Sequence, residues 1–96
     1  MLSRLCKEDF EPLLGRTVSV NAGGSNADLE VKEVVAIPGP SPRATTPFRL
    51  VLRSREGWRA AQGIFRVQHP TLGALDVFSV PIGPDAEGLC YEIIFN

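Results

Sequence analysis

At 96 residues the chain has the length of one domain, and its 44% apolar and 22% charged residues are ordinary globular usage. A net charge of −1 speaks against a dedicated nucleic-acid binder, and no apolar run approaches the ~20 residues that span a bilayer. The opening Met1-Leu2-Ser3-Arg4-Leu5-Cys6-Lys7-Glu8-Asp9 turns charged too early for the apolar centre of a signal peptide, so the expected setting is the bacterial cytoplasm and the expected organisation a single domain over 1–96.

Leu5, Phe10, Leu13 and Leu14 recur at roughly helical spacing near the start. Pro12 cannot sit deep in a helix, so this predicts one or two turns ending near Leu14, with Gly15 as the stop, plugging one end of a sheet. Cys6 stands three residues before Asp9 at capping-box spacing, where a thiol is a poor cap beside Ser or Thr.

Strand patterns follow. Thr17–Asn21 alternates and runs into Ala22-Gly23-Gly24-Ser25-Asn26, read as a flexible hairpin loop. Without a following helix and lysine, its glycines make no phosphate cradle. Asp28–Ile37 alternates until Val34-Val35, where a bulge or a change of face is expected. Four prolines in Pro38–Pro47 mark an exposed loop. Thr46–Ser54 is a strand with Phe48, Leu50 and Leu52 on one side and Arg49, Val51 and Arg53 on the other. Arg55–Gln62 is a loop holding the sole tryptophan.

Strands Ile64–Gln68, Leu75–Ile82 and Leu89–Phe95 then form an antiparallel meander about Pro70-Thr71-Leu72-Gly73 and Gly83-Pro84-Asp85-Ala86-Glu87-Gly88. Ile64 and Ile94 fall outward, which suggests a partly covered second face. The last strand, with only Glu92 as a guard, would invite a second copy if it lay at an edge. No internal repeat is visible. The expected fold is all-β: a small antiparallel barrel or curled sheet of about six strands with a short N-terminal helical turn.

Candidate chemistry is sparse. Cys6 and Cys90 read as two reduced thiols, with a disulfide between them as the alternative. His69 is the only histidine, so no zinc site of familiar spacing assembles, and no cofactor is expected. Ahead of Pro70, its ring is expected to bond local backbone, and Asp76 to pair with Arg66 or Gln68 across the hairpin. Asp85 and Glu87 lie in a loop too short for calcium; Asp85 suits an Asx turn, with Gly88 at positive φ.

Charge distribution is more informative. Arg43, Arg49, Arg53, Arg55, Arg59 and Arg66 are six of the ten basic residues, opposed in that stretch only by Glu56. Arg49 and Arg53 share one face of one strand, and Arg66 is expected near them. Such asymmetry suits oriented docking, against a plain solvated face as the alternative. Trp58 either lids a barrel end or, if exposed between Arg55 and Arg59, anchors an interface.

Asp9-Phe10, Leu13-Leu14-Gly15, Pro47–Arg53 and Gln62–Pro70 lead to a closing signature, Leu72-Gly73-Ala74-Leu75-Asp76-Val77-Phe78-Ser79-Val80-Pro81-Ile82-Gly83-Pro84-Asp85 with Tyr91–Asn96. Over nearly its whole length the chain resembles a family of small bacterial domains of unknown function. That resemblance implies no activity, cofactor or catalytic residue, and it implies an accessory role beside phage-tail-like proteins. Trp58-Arg59-Ala60-Ala61, and Cys6 in place of Ser or Thr, depart from the family pattern.

The functional expectation is a non-enzymatic interaction or accessory module, associated with phage-tail-like or surface-fibre assemblies. Its partner is an unidentified protein or a second copy, bound through Trp58, Arg55, Arg59, Arg53 and Arg49. The alternative is a nucleic-acid-binding barrel using the same arginines, disfavoured because Phe48, Phe65 and Tyr91 point to the core. Neither a membrane nor a small-molecule substrate is expected.

Overall fold

The computed structural model describes residues 5–39, 46–55 and 58–95. The expected Arg43 and Glu56, and the middle of the Pro38–Pro47 loop, lie outside them. Six strands follow two 3-10 turns, Lys7–Asp9 and Glu11–Leu13: β1 (Thr17–Ala22), β2 (Ser25–Ala36), β3 (Phe48–Arg53), β4 (Gly63–His69), β5 (Gly73–Pro84) and β6 (Leu89–Phe95). They close into a barrel in the order β1-β2-β3-β6-β5-β4, with every neighbouring pair antiparallel. Of the two expected architectures, the barrel forms. Closure also puts β6 between β3 and β5, so the last strand is no edge, and an edge-to-edge route to a second copy does not exist there. Among the described residues no helix is long and apolar enough to cross a membrane.

Alternation builds the interior. Val18 and Val20, Leu29 and Val31, Phe48, Leu50 and Leu52, Phe65 and Val67, Leu75 and Val77, and Tyr91, Ile93 and Phe95 all point inward and are buried. Aromatic groups stop both ends. At one end Phe10, from the N-terminal turns, packs on Phe48 and Phe95, with ring centroids 5.8 and 5.7 Å away. This is the expected plug. Pro12 occupies the first turn of the second 3-10 segment, and Gly15 ends it at φ +81°. The carboxylate of Asp9 accepts the Cys6 N–H at 2.9 Å, and a capping box forms between Cys6 and Asp9 at the spacing the sequence shows.

Several local expectations are corrected. The β1–β2 connection is not a loose loop: Ala22 pairs with Ser25, and Gly23 and Gly24 alone make the turn, at φ +58° and +84°. Positive φ at both positions is the requirement of the type I′ turn, whose twist matches that of the flanking strands. The bulge in β2 falls between Val31 and Glu33, with Lys32 as the extra residue, earlier than Val34-Val35. Gly88 does not adopt positive φ; it is glycine because an added Cβ would stand 1.8 Å from the Ser54 carbonyl oxygen.

No sequence repeat exists, yet the barrel has two equivalent halves. β1-β2-β3 and β4-β5-β6 are both meanders, joined through β1–β4 and β3–β6. Val31 lies opposite Leu52, Leu52 opposite Tyr91, and Tyr91 opposite Pro81. A bulge follows at both ends of this row, after Val31 in β2 and after Pro81 in β5. The twofold relation therefore runs through Leu52 and Tyr91. The two prolines of β5 are tolerated because Pro81 adjoins the bulge and Pro84 ends the strand.

Candidate functional site

Arg49 and Arg53 stand outward on β3, on either side of Val51. Their acids come from neighbouring strands and the β5–β6 loop, which sequence proximity could not reveal. Glu33 and Glu92 lie opposite Val51 on its two sides, and both bond Arg49, Glu33 at 3.0 Å to Nη1. Arg53 bonds Glu30 and Asp85, each at 2.7 Å, with Glu87 at 3.2 Å. Lys32, pushed out by its bulge, adds a bond of 2.9 Å to Asp85 and lies 3.7 Å from the Cys90 thiol. This lattice roofs Val51 and Cys90, which are buried although they face away from the barrel interior. Cys90 and the half-buried Cys6 are both free thiols.

Asp85 is the hub of the lattice. Its Oδ1 accepts the N–H groups of Glu87 and Gly88 at 2.8 and 3.0 Å, the expected Asx turn, while Oδ2 serves the two cations. Lys32, then Arg53, then the Glu87 N–H hold its carboxyl well below the usual carboxylate range. Arg66 is not beside Arg49 and Arg53: β4 lies three strands from β3 in either direction. It instead makes a two-pronged pair with Asp76, at 2.8 and 3.1 Å, and that pairing lowers the Asp76 carboxyl.

The remaining site residues gather at the barrel end opposite Phe10. Trp58 is half-buried, edge-on to Phe65 and Tyr91 with centroids 5.9 and 5.7 Å away, and its indole N–H donates to Ser25 Oγ at 3.0 Å. Its carbonyl accepts from the Ser54 hydroxyl at 3.3 Å, and two residues on the Ala60 N–H donates to the Tyr91 hydroxyl at 3.0 Å. Trp58 is thus a lid that still shows an edge. Arg55 and Arg59 flank it, both exposed and neither ion-paired with a described residue. Arg55 and Trp58 share an open depression of about 460 Å³ with Thr17, Ala27 and Asp28. Arg59 shares another with Pro84 and Leu89.

His69 is buried, and main-chain groups occupy both ring nitrogens. Nδ1 accepts from the N–H groups of Thr71 and Leu72, at 3.1 and 3.2 Å, so Nε2 carries the proton and donates to the Asp9 carbonyl at 2.6 Å. Neither nitrogen is left to move a proton to a substrate; the ring clamps the N-terminal turns to β4. Among the described residues no His, Cys, Asp and Glu group is arranged to hold a metal ion.

A model for a domain of unknown function, DUF6916, matches residues 5–95. The chain belongs to that family. No curated protein and no solved structure matches it. Within this DUF6916 domain, one feature escaped the sequence expectations. Ile64, Phe78, Ile82 and Ile94 lie outward and are exposed, so the second face is not covered where Ile64 and Ile94 suggested. The signal was present in β5, where Phe78 sits out of phase with the inward Val77 and Ser79.

Proposed function

We propose that this domain is a non-enzymatic interaction module that docks an acidic protein surface on its Trp58 end. One observation carries the reading. Arg49, Arg53 and Arg66 spend their charge on internal acids, whereas Arg55 and Arg59 stand exposed beside Trp58 with no acid partner among the described residues. An aromatic edge between two uncommitted guanidinium groups, over shallow depressions, has the composition of an interface hot spot. Arg49 and Arg53, engaged by Glu33, Glu92, Glu30 and Asp85, then keep their charge within the barrel wall rather than offer it to the partner. The resemblance to domains found beside phage-tail-like proteins supports an accessory role in a phage-tail-like or surface-fibre assembly.

Affinity purification of the tagged chain from its host, wild type beside an Arg55→Glu/Arg59→Glu variant, tests this. Trp58→Ala is a poor probe, because it would also remove the contacts to Phe65 and Tyr91. The expected result is an acidic protein retained by the wild type and lost by the variant. Equal retention by both would remove the Trp58 end from consideration. Recovery of single-stranded nucleic acid, released steeply by salt, would favour the basic-barrel alternative.

A further inference from the structure

We propose that the outer face of β5 is a self-association surface, on which a second copy of this chain docks with the two β5 strands antiparallel. Leu75, Val77 and Ser79 point inward, which leaves Phe78 and Val80 outward, and the bulge after Pro81 leaves Ile82 exposed as well. Ile64 lies directly opposite Phe78 on β4, and Ile94 adds to the flank from β6. Ile64, Phe78, Ile82 and Ile94 are 59, 53, 45 and 41% exposed. Together they offer roughly 400 Å² of apolar surface. One side of a standard interface buries about 800 Å², somewhat over half of it apolar, so this stripe has the apolar area that one side requires.

The occupant follows from the arrangement along β5. A twofold axis through Val80 sets Phe78 against the partner's Ile82 and Ile82 against the partner's Phe78, so the stripe meets itself in reverse. Each copy therefore presents the same apolar stripe in reverse order, as a self-complementary twofold interface demands, over the apolar area that one side of a standard interface needs. The faces pack sheet on sheet, and no strand edge is needed.

Sedimentation equilibrium on the full chain decides it. The wild type should sediment at twice the 10.4 kDa chain mass. Phe78→Asp should fall to the monomer mass with an unchanged circular dichroism melt, its dimer dissociation constant raised about 30-fold or more. Ile82→Asp should weaken the dimer to a similar extent, because Ile82 meets the partner's Phe78 across the axis. A monomeric wild type, or a dimer indifferent to Phe78→Asp or to Ile82→Asp, overturns the proposal. Phe78 lines neither depression at Trp58, so losing the dimer while keeping partner capture separates this surface from the proposed binding end.

Discussion

Gly88 shows how one residue's role can be misread for a sound reason. A glycine closing an Asp-rich loop suggests positive φ, but here its task is to let two backbones meet. Leu89 accepts from the Ser54 N–H at 2.8 Å and from its hydroxyl at 3.2 Å, and this contact fixes the strand next to Trp58. The obstruction to a Cβ is backbone, which cannot swing away as a side chain can. Gly88→Ala is therefore expected to destabilise the domain by about 3 kcal/mol or more, read from chemical denaturation. A loss under ~1 kcal/mol would mean that the loop relaxes freely. His69 was legible at this scale, since a His-Pro turn entry favours a ring bonded to local amides. Its second bond, to Asp9 sixty residues back, was not.

At the scale of elements, strand alternation named the core faces of β3, β4 and β6, because burial on one side imposes a period of two. The ends of elements were harder. Both 12-residue strands, β2 and β5, change partners midway and carry a bulge there, and pairing across the sheet decides where that happens. The ion lattice on β2, β3, β6 and the β5–β6 loop is equally a product of register. Its pH dependence is testable at Asp85. Lys32 and Arg53 depress this carboxyl in the folded state, so its contribution is present above the ordinary Asp pKa of ~3.9 and is lost as pH falls below it. Melting temperature against pH should fall in the acid range for the wild type. Asp85→Asn should lower it at neutral pH and flatten the acid limb. Superimposable profiles would show that the lattice adds nothing to stability.

The whole molecule depends on closure. β6 supplies the partner for β3 along its length and for the second half of β5, so a chain ending at residue 88 leaves two apolar edges and an open interior. Such a truncation is expected to lose cooperative unfolding and to aggregate; size exclusion with a thermal melt would reveal it. A folded, monomeric product would mean that the meanders stand without closing. Closure also explains why charge was misleading along the chain. The stretch from Arg43 to Arg66 has only Glu56 as an acid in sequence, whereas the barrel brings Glu30, Glu33, Asp85 and Glu92 onto its arginines.

Sequence alone determined the fold class, the inward residues of β3, β4 and β6 and the two alternatives for Trp58, because each rests on local periodicity or local chemistry. Tertiary structure alone decided the strand order, which arginines remain uncommitted, that Trp58 serves as a lid, and that Phe78 and Ile82 line an exposed stripe. Those properties depend on which distant strands become neighbours, and a chain with no repeat to align leaves that to packing.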